Sequence, residues 1–247
     1  MHIVWITAFG VGGATIIGSL LGFIFKNISK KFSNVILSFA AGVMLSASVI
    51  GLVLPSLEYG GAFALPVTVT GIFAGALCVN LLDKLVPKLQ GLAGSNAENS
   101  AQLNSVLLFV LAIAIHNLPE GIAAGVGFGT DNIKDALTVA GGIALQNLPE
   151  GMIIIAPMLS AGISPARTLI CAVSTGVIEI IGTLMGYYAV TISGVILPFA
   201  LALAGGTMLY VISDEIIPAT HTDGCERSAT FALFLGFCVM LATSYYI

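Results

Sequence analysis

Two six-residue stretches recur thirty positions apart, His116-Asn117-Leu118-Pro119-Glu120-Gly121 and Gln146-Asn147-Leu148-Pro149-Glu150-Gly151. On a helix, positions i, i+3 and i+4 share a face, so His116, Asn117 and Glu120 point one way, as do Gln146, Asn147 and Glu150. Turned toward each other, two such faces supply two carboxylates, one imidazole and three amide oxygens, and Glu179 adds a third carboxylate. A set rich in oxygen, with one nitrogen and no thiolate, suits Zn²⁺, Mn²⁺, Fe²⁺ or Cd²⁺ and argues against Cu(I). A structural zinc site would be closed by four Cys or His ligands. This looser set predicts reversible binding.

The elements that must position these residues follow from composition. Of 247 residues, 57% are hydrophobic and only 8% are charged, against about 25% in soluble domains, too few to cover a water-soluble globule. A cytosolic enzyme, a secreted disulfide scaffold and a nucleic-acid binder are excluded, the last for want of a basic patch. The cysteines Cys78, Cys171, Cys225 and Cys238 form no CxxC pair. Apolar stretches long enough to cross a bilayer lie at about 3–25, 33–57, 63–86, 103–128, 133–159, 165–190, 194–217 and 228–247. The expected fold is therefore an all-α polytopic membrane protein with eight transmembrane helices in one domain. The first apolar run has no preceding Lys or Arg and reads as a retained span. One polar loop, about 87–102, is long enough to notice.

Lys26, Lys30, Lys31, Lys84, Lys88, Arg167 and Arg227 all fall at or after the ends of odd-numbered spans, and only Lys134 falls on the other side. By the positive-inside rule the odd-numbered loops are cytoplasmic and both termini lie outside. What is left at membrane depth is His116 and Glu120 in span 4, Glu150 in span 5 and Glu179 in span 6, each within about one turn of its span's centre. A carboxylate there costs roughly 2.5–3.5 kcal/mol, and no Lys or Arg lies at that depth to offset it. Protons or a bound cation must compensate, in a site at the core between spans 4, 5 and 6. Pro119 and Pro149 each lack an N–H and free the carbonyls of Ile115 and Leu145. Glycines at helical spacing, such as Gly18/Gly22, Gly71/Gly75, Gly121/Gly125/Gly129 and Gly182/Gly186, read as packing surfaces.

Taken together, the eight spans, the HNLPEG motif, its PEG-containing partner and the Glu of span 6 resemble the ZIP family of divalent-metal transporters, in particular its GufA-like branch. The resemblance implies a binuclear site. One metal would be held by His116, Glu120, Gln146 and Glu150, the other by Asn117, Glu120, Asn147, Glu150 and Glu179. Gln146 stands where many members have His, and Asn147 where a relative has Asp, which removes a negative charge from the second position. Ser213-Asp214-Glu215-Ile216-Ile217-Pro218-Ala219-Thr220-His221 is similar to the family's HEIIPETH-like segment, with Asp214 for His and Ala219 for Glu. Asp214, Glu215, His221 and Asp83 would lie near the cytoplasmic face and receive departing ions. The family's histidine-rich loop has no counterpart, since 87–102 contains no His.

The resulting expectation is an importer of Zn²⁺, and of Fe²⁺, Mn²⁺ or Cd²⁺, into the cytoplasm of the cell across its membrane. The metal is cargo, and no cofactor is expected. The resemblance also implies spans 1, 4, 5 and 6 moving against spans 2, 3, 7 and 8, and a homodimer among the partners beside the metal ions and the lipid bilayer. A proton- or cation-conducting channel using the same acidic path is the competing reading. A metal-dependent membrane protease is disfavoured by the absence of HExxH.

Overall fold

Strongly apolar sequence with only short polar interruptions folds here into long helices, because a backbone in hydrocarbon must satisfy its own hydrogen bonds. The computed structural model describes residues 1–25, 29–92, 117–130, 132–160, 162–222 and 224–246, with backbone only at 83, 85–92 and 157. The helices are α1 (His2–Ile24), α2 (Lys30–Tyr59), α3 (Ala64–Leu92), α4 (117–126), α5 (Ile133–Ser160), α6 (Pro165–Ile192), α7 (Gly194–Thr220) and α8 (Glu226–Tyr246). Seven candidate spans are long and apolar enough to cross a membrane. The expected fourth span, 103–128, falls mostly outside the described residues and is represented by α4. No strand occurs among the described residues. The helix of span 3 continues to Leu92, through the first part of the segment expected to be a polar loop.

Two helices contain a π-helical turn that sequence reading missed. Val49–Val53 interrupts α2 and Ile212–Ile216 interrupts α7. Each is followed by a proline, Pro55 or Pro218, near the start of the next helical segment. A proline donates no N–H, and here the residue before it reaches back five positions: Leu54 N–H to Val49 O, and Ile217 N–H to Ile212 O.

Packing divides the helices into two sets. In one, α1 lies against α5 and α6, and α4 against α6; in the other, α8 lies against α2 and α7 against α3. Gly18 and Gly22 of α1 meet Leu148 and Met152 of α5 in ascending order, so these helices run parallel. Ala232 and Met240 of α8 likewise follow the order of Phe39 and Ala47 of α2, and Asn80 of α3 meets Tyr210 of α7 after Gly71 meets Ala202. These registers put Lys30, Lys31, Lys84, Arg167 and Arg227 at one end of the bundle and Lys134 at the other. The charge partition seen in the sequence is thus a partition in space.

The terminal glycines of the two repeated motifs sit where neighbouring backbone comes close. A Cβ on Gly121 would collide with the backbone carbonyl of Glu179, and one on Gly151 with the carbonyl of Thr15. Neither obstacle is a side chain that can turn away. Gly121→Ala and Gly151→Ala should each destabilise the purified protein by about 1–3 kcal/mol, the range for overpacking, read as a lowered Tm in detergent. Gly141→Ala, where an added Cβ meets nothing within 4 Å, should leave Tm unlowered or slightly raised.

Candidate metal centre

The repeated motifs converge with α1 and α6 on one buried polar cluster. Glu179, in the middle of α6, is fully buried. Its carboxylate accepts hydrogen bonds from three helices. Thr15 Oγ1 of α1 lies 2.8 Å from both carboxylate oxygens, Asn147 Nδ2 of α5 donates to Oε2 at 2.8 Å, and Asn117 Nδ2 of α4 donates to Oε1. Asn147 Nδ2 also reaches the carbonyl of Val11 in α1 at 3.3 Å. Thr183, one turn along α6, donates to the backbone carbonyl of Glu179 at 2.9 Å.

Asn117, Asn147 and Glu179, which the resemblance groups at one metal position, are in hydrogen-bond contact. The structure adds α1 to the expected frame of spans 4, 5 and 6. Thr15 and Val11 were missed because a lone Thr in an apolar span reads as packing. Their signal was faint but present: Val11, Thr15, Gly18 and Gly22 fall at helical spacing on the face of α1 that presents its small residues.

Beside this saturated carboxylate lies a group of acceptors with the opposite property. Asn117 Oδ1, both carboxylate oxygens of Glu120 and Gln146 Oε1 are buried and find no hydrogen-bond donor among the described residues. Gln146 Nε2 donates one N–H to Asn147 Oδ1, and its second lies beside Glu120 without closing a hydrogen bond of good geometry. Glu150 is half-buried, near enough for its charge to act on both Glu120 and Glu179. Buried polar groups without partners are rare, because each forfeits its hydration. Four such oxygens together form a region of negative potential that a cation can fill.

Acidic side chains alone do not complete a coordination sphere. Among the described residues, no three His, Cys, Asp or Glu side chains group closely enough to hold a metal ion. Amide oxygens would have to share the task, as their pairing with Glu in both motifs suggests. His116 lies outside the described residues.

The residues expected near the cytoplasmic face are spread along α3 and α7. Asp214 is exposed and Glu215 half-buried, both in the π-helical turn Ile212–Ile216. The bond from Asn80 to Tyr210, 2.8 Å long, sets the register of α3 on α7 and brings Asp83 level with Ser213. His221, just beyond α7, is held at both ring nitrogens. Nδ1 donates to Ile217 O at 3.0 Å, and Nε2 lies 3.2 Å from Thr230 Oγ1 in α8. In this arrangement its ring ties the end of α7 to α8.

A multi-pass helical membrane protein with a buried cluster of carboxyl and amide oxygens defines the class. Residues 88–244 match the family described as ZIP Zinc transporter. The zinc transporter GufA of Myxococcus xanthus is 36% identical, across 93% of this chain and 93% of its own length. Zinc transporter ZIPB of Bordetella bronchiseptica is 35% identical across 98% of this chain and 81% of its own. Zinc transporter ZIP11 of Homo sapiens is 30% identical across 93% of each. The chain belongs to the ZIP zinc transporter family, a family of transporters and not of enzymes.

The bond from Thr15 is open to direct test. Thr15→Val keeps the shape and removes the donor, leaving Glu179 one bond short in a buried setting. It should lower stability by about 1–2 kcal/mol, measured as Tm in detergent, while Thr15→Ser stays near the parent value.

Proposed function

We propose that this protein carries Zn²⁺ inward across the membrane, with Fe²⁺, Mn²⁺ and Cd²⁺ as further substrates, through a site formed by the two repeated motifs and Glu179. The observation that carries the reading is the set of four buried oxygens on Asn117, Glu120 and Gln146 that no donor meets among the described residues, beside Glu150 at the centre of a bundle. An entering ion exchanges its water for these oxygens, and any proton the carboxylates carry is released as it binds. The basic residues, seven of eight of which fall on the loops assigned to the cytoplasm, support that orientation, and the inward direction is what the family resemblance implies. Asp83, Asp214, Glu215 and His221 would receive the ion on that side.

The two metal positions are not equivalent in this reading. His116, Glu120, Gln146 and Glu150 form the first, whose described oxygens lack competing donors on Glu120 and Gln146. The second draws on Asn117, Glu120, Asn147, Glu150 and Glu179, and there the amide nitrogens of Asn117 and Asn147 already donate to Glu179. For an ion to bind there, both amides must turn their oxygens inward. The first position is therefore the primary site.

In proteoliposomes holding a zinc-sensitive dye, the protein should give saturable uptake, and Glu120→Ala or Glu150→Ala should reduce it at least tenfold. Near-normal uptake in either variant overturns the assignment, and a non-saturating, voltage-driven leak favours a channel. Asn147→Asp replaces a donor to Glu179 with a metal-binding carboxylate. It should raise the stoichiometry found by calorimetry from one toward two Zn²⁺ per chain, while an unchanged titration counts against the proposed difference between positions.

A further inference from the structure

A groove of about 440 Å³ opens between α1, α2, α5 and α8, lined by apolar side chains that include Leu21, Val35, Phe39, Pro149, Ala232 and Leu235. All four helices are long and apolar enough to cross the membrane, so the medium facing the groove is hydrocarbon. Its lining stripes continue toward the basic end of the bundle. On α2, Lys31, Val35 and Phe39 follow at intervals of four and share a face; on α8, Arg227, Phe231 and Leu235 do the same. α2 and α8 start at the same end of the bundle, so both stripes terminate in a cation there. Lys31 and Arg227 are exposed. Glu226, the acid next to Arg227, accepts from the Gly224 N–H at 3.2 Å.

We propose that this groove is a binding site for an anionic phospholipid, with an acyl chain between α1, α5, α2 and α8 and the phosphate between Lys31 and Arg227. Lys31 and Phe39 are eight residues apart, about 12 Å along the helix, which accommodates the upper part of an acyl chain. A second copy of the chain fits less well. Two copies in one membrane share an orientation, so the partner would bring its own Lys31 and Arg227 to the same level, like charge against like. The lipid's chain would rest on Pro149, on the helix that carries Asn147 and Glu150. Occupancy would thus bear on the position of α5. The site does not depend on which metal the protein carries.

Native mass spectrometry of the detergent-solubilised protein tests this with phosphatidylglycerol and phosphatidylcholine supplied at equal concentration. The expected result is one tightly retained lipid with phosphatidylglycerol preferred. Lys31→Gln and Arg227→Gln should each reduce the preference about fivefold, the effect of one basic residue near an anionic surface. Ala232→Phe fills the groove and should lower retention of both lipids; Val35→Phe serves if that variant does not fold. Equal retention of the two lipids by the parent protein overturns the proposal. So does undiminished phosphatidylglycerol binding in a folded groove-filling variant, or disulfide cross-linking of Leu235→Cys chains through this face, which would assign the groove to a second copy.

Discussion

A buried carboxylate inside an apolar bundle must be met by donors, and the arrangement of half the helices follows from how Glu179 is met. Its donors are Thr15, Asn117 and Asn147, all short side chains. Short side chains reach only if the backbones come close, and Gly121 and Gly151 allow that approach, each one turn beyond its Asn on the same face. Within each motif, then, Asn supplies the bond to Glu179 and Gly supplies the proximity it requires. On α5 the linkage is closed, since Asn147 bonds Glu179 while Gly151 rests on the carbonyl of Thr15, the other donor to Glu179. α1, α4, α5 and α6 are held in register by one carboxyl group.

The chemistry of those donors matters as much as their number. A Lys or Arg would neutralise Glu179 and also repel any cation nearby. Hydroxyl and amide groups satisfy the oxygens without adding charge. The negative potential of the region is preserved, while among the described residues no donor meets Glu120 or the oxygens of Asn117 and Gln146. One carboxylate is secured and its neighbour is left open. This asymmetry reconciles a folded bundle with an exchangeable ligand, because the group that organises the helices is not the one left wanting a partner.

Much of this is legible in the sequence, and the reason differs by feature. Spans follow from apolar length, and the spacing of Asn and Glu in both motifs fixes a common face, so the meeting of Asn117, Asn147 and Glu179 was predictable. Thr15 was not, because nothing in α1 identifies which partner a single hydroxyl will find. The roles of the amides were half legible. Sequence offers Asn117 and Asn147 as candidate oxygen ligands, yet an amide has two ends, and only the three-dimensional neighbours turn their nitrogens to Glu179. The π-helical turns before Pro55 and Pro218 escaped for a similar reason: proline signals a break but not how the ladder closes around it. The extension of α3 to Leu92 reflects propensity, since Lys88, Leu89 and Gln90 favour helix even where the apolar signal has ended.

The character of the contacts differs within and between the two sets of helices. Inside each set the closest approaches are backbone on glycine, as at Gly121 and Gly151 in one and at Gly42, Gly75 and Gly236 in the other, where the obstacle is a carbonyl. Across the boundary the glycines meet side chains. Gly51 of α2 faces a methyl of Val139 in α5, and Gly142 of α5 faces the thioether of Met240 in α8. Backbone seated in a glycine notch fixes register, whereas a methyl or a flexible Met can slide and repack. Shear between packed helices requires a boundary of the second kind. The α2–α5–α8 border has that character, and it coincides with the division between moving and stationary spans that the family resemblance implies. The apolar groove opens along the same border, so whatever occupies it acts where the two sets would move past each other.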